Sequence, residues 1–400
     1  MRSLLKQLVA RLLLSLSGIA SGLLIMELLL RLIGIAKSPQ GIFFEPDPYT
    51  GWVNRPGAAG HWNYEGDAEV KINKQGLRDR EHIIDKPKHT IRIAVLGDSF
   101  MAAFQVDQSK DFSSVTERSL RGCSALNGRD PEVINFGVNA YGTGQELITL
   151  ERRARRYSPD IVILAFYEND LYDNSLPLKQ EYPQFTLGPR PYFYFQNCSM
   201  VLDNSFRVSK RFLDAVRKSA DESSAYGVGI HRLLWKSRCW QILSRVRPSF
   251  RLSSPMTEPF TGTALSAPIT PEWQEAWKIT ERLISKAHQE SEELNARFLL
   301  VLVPHALQVY PGAVERTASL RSWGVLDPFY LNRRMAALAQ REGFKILSLA
   351  QPMQKYADER HTFFYGFSNT VMGQGHWNET GQQLAGELTA SKLCDMLGGK

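Results

Sequence analysis

The chain has 400 residues, 43% of them hydrophobic and 22% charged, with a formal net charge of +7. This is ordinary composition for a globular protein with a sizeable core, and the length allows one large domain or two modest ones. The Lys and Arg residues are spread along the chain and form no block beside aromatic platforms. That argues against a nucleic-acid binder and suits a protein working near an anionic envelope surface.

Leu12 to Ile35 is almost continuously apolar, interrupted by Ser, Gly, Glu27 and Arg31. A membrane-spanning helix needs roughly 20 such residues, so the run predicts one. A cleaved signal peptide and a buried core helix are the alternatives, and no clear small-x-small cleavage site follows the run. Glu27 and Arg31 share a helix face and can pair. Arg2, Lys6 and Arg11 precede the span, which places the N-terminus in the cytoplasm, although Arg31 and Lys37 weaken that count. The expectation is a single-pass protein of the cytoplasmic (inner) membrane, with the bulk of the chain on the extracytoplasmic, periplasmic side. There the four cysteines Cys123, Cys198, Cys239 and Cys394 become disulfide candidates. Cys198 with Cys239 is the expected pair, since both fall in one insertion-like region, and buried thiols are the alternative.

Residues 38–90 are rich in turn-formers (Pro46-Asp47-Pro48, Gly51, Pro56-Gly57, Gly60, Gly66) and carry one alternating run, Ala68–Ile72. They read as a β-rich lead-in. From residue 91 the pattern changes. Strand-like runs at Ile91–Leu96, Val133–Phe136, Ile161–Phe166, Phe298–Val303 and Phe344–Leu349 alternate with helical segments near 112–120, 144–156, 271–296 and 328–341. Thr270-Pro271 and Asp327-Pro328 look like helix starts and Gly343 like a helix end. Trp273, Trp277, Ile284 and Ala287 sit at helical spacing and read as core. Five short buried strands separated by helices predict a doubly wound parallel sheet. Residues 175–269 break the rhythm: aromatic and basic, without a clear strand, they read as a largely helical insertion. The chain thus divides into a tail and anchor (1–37), the lead-in (38–90) and an α/β domain (91–400).

Four stretches hold residues suited to acyl transfer, which needs a nucleophile, a base and oxyanion donors. Ile91–Leu96 ends at Gly97-Asp98-Ser99, and a serine just past a strand's carboxyl end is a candidate nucleophile. Asn135 through Thr143 follows the second strand and can turn backbone N–H groups inward. Glu168-Asn169-Asp170 follows the third, and Asn169 can offer a side-chain amide. His376 stands just ahead of a predicted helix at 382–397 and is a candidate base. Each alone has an ordinary explanation, as a turn, a cap or a structural histidine. No glycine-rich dinucleotide or Walker loop follows a strand, which disfavours a phosphate-binding domain.

The order of these four blocks resembles the SGNH/GDSL hydrolase family, and the lead-in with Gly51-Trp52 and Asn73 to Arg78 resembles a membrane-anchored branch of it. The resemblance covers 91–174 well and 297–400 loosely. It implies a flavodoxin-like three-layer sandwich with a parallel five-stranded sheet, no metal and no cofactor, and ester chemistry through an acyl-serine. By position, Ser99 is the nucleophile and first oxyanion donor, Ala140 and Asn169 are further oxyanion donors, and His376 is the base. Two departures stand out. Ala140 occupies a position the family usually gives to glycine. The family's acid, two or three residues before the histidine, is replaced by Gln374 and Gly373. A comparable loss in a serine-protease triad, a worked example from another protein, costs about 10⁴ in turnover. Either Gln374 or a backbone carbonyl orients His376, or an acid such as Asp358 or Glu359 arrives from elsewhere, or the site is weak. The expected function is an extracytoplasmic serine esterase removing acyl groups, O-acetyl above all, from envelope glycans or similar esters. An O-acyltransferase using a sugar hydroxyl, as in the alginate O-acetylation proteins, and a catalytically silent glycan-binding or assembly protein are the alternatives.

Overall fold

The computed structural model describes residues 2–32, 43–181, 188–224, 237, 239 and 261–399. It opens on the helix Arg2–Leu32, within which Leu13–Leu32 has a mean hydropathy of 2.0 and is almost wholly exposed. That segment is long and apolar enough to cross a membrane, and an N-terminal signal sequence meets the same description. Arg31 Nε donates to Glu27 Oε1 at 2.8 Å, the pairing their spacing predicts.

Four short strands precede the main sheet. β1 (Phe44–Asp47) pairs antiparallel with β2 (Gly51–Asn54), and β3 (Ala59–Trp62) with β4 (Ala68–Lys71). In β4 the sequence alternation becomes an alternation of burial, with Ala68 and Val70 inside and Glu69 and Lys71 outside. The main sheet comprises β5 (Thr90–Leu96), β6 (Asp130–Asn135), β7 (Ile161–Phe166), and, after the hairpin β8 (Tyr192–Gln196) and β9 (Ser199–Asp203), β10 (Arg297–Leu302) and β11 (Lys345–Ser348). Its order is β11-β10-β7-β5-β6, and every neighbouring pair is parallel. This is the flavodoxin-like 2-1-3-4-5 arrangement, with the order reversing between β5 and β7.

The three layers follow from the side-chain alternation of these strands. Ala94, Leu96, Val162, Leu164, Leu300 and Leu302 face one way, against the helices Thr143–Arg152, Pro271–Glu293 and Tyr330–Glu342. Ile93, Val95, Ile161, Ile163, Leu299 and Val301 face the other, against the helices Phe112–Leu120, Ala350–Arg360 and Glu379–Leu397. Both faces are covered, which is why the strands read as continuous apolar runs. Thr270 caps the helix Pro271–Glu293, whose Trp273, Trp277, Ile284 and Ala287 are buried in the core, and Gly343 ends the helix Tyr330–Glu342 at φ +82°. That helix begins two residues beyond Pro328, because Asp327 Oδ1 accepts from Phe329 N (3.2 Å) and closes a turn first.

Two expectations need correction. The insertion contains the antiparallel hairpin β8–β9, although it reads as strandless. Tyr192 to Phe195 are strong strand formers, and Asn197 and Cys198 both take positive φ at the turn, as a tight hairpin demands. Trp235, Trp240, Arg245, Arg247 and Arg251 lie outside the described residues. The disulfide joins Cys123 to Cys394, with Cα atoms 5.7 Å apart, whereas Cys198 and Cys239 carry free thiols. Closeness in sequence was a poor guide: the helices Phe112–Leu120 and Glu379–Leu397, far apart in the chain, pack side by side and bring the first pair together.

Two buried arginines fasten the lead-in to the α/β domain. Arg92, in β5, donates to Ile83 O (2.9 Å), Ile84 O (2.8 Å), Tyr157 O (2.7 Å) and Glu132 Oε2 (2.7 Å). Arg78 pairs with Asp111 (2.9 Å) and reaches Val106 O. Phe43, Trp62, Val70 and Ile72 of the lead-in then form a small core with Ala102 and Phe104, which follow directly on Ser99.

The disulfide closes a loop of 271 residues. Replacing both partners, Cys123→Ser with Cys394→Ser, is expected to cost about 2–4 kcal/mol of stability. Chemical denaturation of the wild type, with and without reductant, against the double variant measures it.

Candidate active site

β5 delivers Ser99. The strand ends at Leu96, and Gly97 packs so tightly that a Cβ there would lie 2.4 Å from Met101 Cγ. The chain turns at once into the short helix Ser99–Ala102, capped by Asp98, whose Oδ1 accepts from Phe100 N at 2.9 Å. Ser99 is thereby held, half-buried, at the carboxyl end of β5 where the strand order reverses.

His376 is brought to it by the opposite end of the chain. Asn378 caps the helix Glu379–Leu397 through Thr380 N (3.0 Å) and Gly381 N (3.1 Å), while its Nδ2 donates to Phe363 O (2.9 Å). Trp377 forms an isolated bridge with Tyr365. Between these anchors the His376 ring packs against Phe100, with centroids 5.1 Å apart, and its Nε2 lies 2.8 Å from Ser99 Oγ.

The other ring nitrogen meets a residue that sequence reading passed over. His376 Nδ1 lies 2.5 Å from Glu65 Oε2, and the backbone N–H of His376 donates to Glu65 Oε1, also at 2.5 Å. A carboxylate at Nδ1 fixes the proton on that nitrogen and leaves Nε2 free to accept from the Ser99 hydroxyl. Burial works to raise the Glu65 carboxyl, but the His376 charge, the hydrogen bonds from its ring and backbone, and one from Gln105 together hold it below the ordinary value. Glu65 sits in the loop between β3 and β4, 311 residues from its partner. Asn369 clamps that loop, accepting from Gly66 N (3.1 Å) and donating to Gly66 O (2.8 Å) and Asn63 O (3.2 Å). Gly375 completes the fit: it has φ +80°, and a Cβ there would fall 2.0 Å from Glu65 Oε1.

Gln374 therefore does not orient the ring; among the described residues its side chain makes no hydrogen bond to His376. Nor do the two nearby acids. Asp358 is engaged by Arg316 in two bonds of 2.8 Å and by Gly312 N (3.1 Å), and Glu359 lies exposed, 3.8 Å from Lys355. Local sequence offered no signal for Glu65, since an acid at a hairpin tip is ordinarily solvated.

The oxyanion candidates gather around Ser99. Asn169 opens the helix Asn169–Asp173 after β7, and its Nδ2 lies 3.4 Å from Asp98 Oδ2, a weak contact. The loop after β6 lies against the turn that carries Ser99, with Val138 N–H donating to Gly97 O at 3.1 Å. Ala140, in that loop, takes the left-handed φ of +60° in which glycine is favoured. Among the described residues, neither the Ser99 nor the Ala140 backbone N–H donates to a protein acceptor.

Carboxyls lie beneath this surface. Burial pushes Asp98 up to about 6, against the opposing pull of Phe100 N–H and His376. Glu146 and Asp170, both fully buried, are raised well above the ordinary range, first by burial and then by neighbouring carboxyls; Thr143 Oγ1 donates to Asp170 at 2.9 Å. At the end of β10, burial lowers His305 to about 4, so its imidazole is neutral near pH 7. The His305 ring stacks on Tyr167, which packs on Phe100 with centroids 4.6 Å apart. An aromatic wall thus runs from His376 to His305 along the strand ends.

No protein-family model matches the chain, and no curated protein sequence matches it. Solved structures resemble it distantly. An acetyl xylan esterase is 12% identical, with 76% of this chain and 100% of that one aligned and a TM-score of 0.36. A catalytic mutant of an acetylxylan esterase from Geobacillus stearothermophilus is 9% identical over 76% and 94%, with a TM-score of 0.38. A lipolytic protein of the G-D-S-L family from Desulfitobacterium hafniense is 9% identical over 76% and 99%, with a TM-score of 0.31. The order of the chain's own sheet is that of a flavodoxin-like α/β fold, with a serine just past β5 and a histidine ahead of the last helix in contact.

The buried Asp98 makes a pH-dependent prediction. A carboxyl raised from 3.8 to about 6 contributes stability that is fully present below 3.8 and lost as pH rises through 6. The loss amounts to about 3 kcal/mol, at 1.36 kcal/mol per unit. Asp98→Asn is expected to flatten stability over that window relative to wild type, measured by denaturation at a series of pH values. Ala140→Gly, which relieves the left-handed alanine, is expected to leave any turnover within about threefold and stability within about 1 kcal/mol.

Proposed function

We propose that the protein is a serine esterase in which Ser99 attacks an acyl ester, His376 takes and returns the proton, and Glu65 holds the imidazole. The single observation carrying this reading is the continuous contact from Ser99 Oγ to His376 Nε2 (2.8 Å) and from His376 Nδ1 to Glu65 (2.5 Å). In the first step the Oγ–carbonyl bond forms as the hydroxyl proton passes to Nε2, and Glu65 stabilises the resulting imidazolium. The oxyanion is met by the N–H groups of Ser99 and Ala140 and by Asn169 Nδ2. Collapse breaks the bond to the leaving alcohol, which receives the proton from Nε2. Water, activated by the same imidazole, then attacks the acyl-serine and releases the acid.

The finer reading is a membrane-anchored enzyme of the extracytoplasmic side acting on acyl groups, O-acetyl in particular, of envelope glycans. Its support is the apolar N-terminal helix, with Arg2, Lys6 and Arg11 ahead of the span, and the order of the sequence blocks. The division into anchor (1–37), lead-in (38–90) and catalytic domain (91–400) belongs to the same proposal. A catalytically silent binding protein loses its main support, because a carboxylate does reach His376.

A fragment beginning near residue 38 tests the reading with a fluorophosphonate probe and aryl acetates. Labelling confined to Ser99, and abolished in Ser99→Ala and His376→Ala, is expected. Glu65→Gln should retain folding and lower kcat by up to about 10⁴, the loss that follows replacement of the corresponding acid in a serine protease. Unchanged turnover in Glu65→Gln would overturn its role, and absence of labelling in the folded wild type would overturn the nucleophile.

A further inference from the structure

The loop bearing Ala140 is held from outside the main sheet. Trp52, in β2, donates its indole N–H to Asn139 O at 3.1 Å. The Asn139–Ala140 peptide is trans, as are all those described, so its C=O and N–H point in opposite directions. A donor fixing Asn139 O on one side therefore aims Ala140 N–H to the other. Arg190 takes the next carbonyl, its Nη2 donating to Ala140 O at 3.1 Å, while its Nη1 is anchored on Asp173 at 2.7 Å. The Arg190 guanidinium also lies over the Trp52 ring, 5.1 Å from its centroid. Asn54 Nδ2 donates to Gly137 O (3.2 Å), and the Tyr141 hydroxyl donates to Trp52 O (2.5 Å). Every second residue of the loop is thus tied to β2.

These ties oppose a conformational preference. An alanine at φ +60° costs of the order of 1–2 kcal/mol relative to its favoured regions, so the loop needs external restraint to stay there. Ala140 N–H, meanwhile, has no protein acceptor among the described residues. A backbone donor held in a costly conformation and left without an acceptor, beside a nucleophile's turn, is preorganised for a charge that arrives during reaction.

We propose that Trp52 and Arg190 are positioning residues for the oxyanion donor at Ala140: they fix the peptide on each side of it and so set the direction of its N–H. The inference rests on the reading of Ser99 as nucleophile. It makes the N-terminal lead-in and the insertion contributors to turnover, beyond their packing.

The test is steady-state kinetics of aryl acetate hydrolysis by the full chain in detergent, with Trp52→Phe and Arg190→Lys. The first keeps an aromatic ring and removes the N–H; the second keeps a charge for Asp173 and removes the fork that reaches Ala140 O. Losing a whole oxyanion donor costs about 10²–10³ in kcat in the subtilisin example, so loss of its restraint is expected to cost about 10–100-fold. KM should stay within about twofold, the pH profile of kcat/KM should keep its position, and hydrogen exchange should accelerate at 137–141 without a matching fall in Tm. A kcat within twofold of wild type in both variants overturns the proposal. So does a loss shared between kcat and KM together with a lowered Tm, which would mark a packing role alone. Absence of Ser99 labelling in the wild type is a separate outcome that overturns the esterase reading, and this inference with it.

Discussion

Holding a carboxylate against His376 is the constraint from which most of the surroundings of Ser99 follow. Glu65 approaches from a hairpin loop, and a charged side chain at a hairpin tip would ordinarily remain in water. It is kept at the ring by two hydrogen bonds to His376, by the Asn369 clamp on its own loop and by a glycine at 375 that leaves it room. Loss of these contacts would leave a half-buried imidazole without the carboxylate that faces its Nδ1.

That constraint in turn explains why the lead-in is bound so firmly. Arg92 spends four donors on three backbone carbonyls and Glu132 where the lead-in meets the sheet, and Arg78 pairs with Asp111 and Val106 O just beyond the Ser99 turn. Buried arginines of this kind contribute little net stability when fully paired, yet removing one partner is costly. They act as pins that fix the register of the lead-in. The small core of Phe43, Trp62, Val70 and Ile72 then closes on Ala102 and Phe104, shortly after Ser99. Glu65 and Ser99 are referred to the same few residues, so their separation is set by rigid packing rather than by a long loop.

The loop bearing Ala140 is held on the same plan. β2 of the lead-in ties the loop after β6, and Arg190 of the insertion ties its neighbouring carbonyl. The five-stranded sheet supplies the serine, the asparagine and the platform, while the added segments supply the restraint. Beneath this loop burial favours the neutral form of the Glu146 and Asp170 carboxyls, which limits the negative charge close to Asn169.

Much of this was legible in the chain itself. Five apolar runs bounded by turn-formers gave the parallel strands to within three residues at their ends, because strands buried on both faces have no polar alternation to blur them. Ser99, Asn169 and His376 were visible because each stands at a strand end or ahead of a helix, where local sequence sets position. The hairpin β8–β9 was missed although its aromatic run and Asn197-Cys198 turn were in plain view, masked by the basic residues around them. Glu65, the Cys123–Cys394 disulfide and the Trp52 contact could not be read at all. Each joins residues 87 to 311 positions apart, and local sequence carries no record of which distant segments will pack together. The chain alone determined where its reactive groups sit along the sheet; only the packing of the lead-in decided which acid and which restraint they meet.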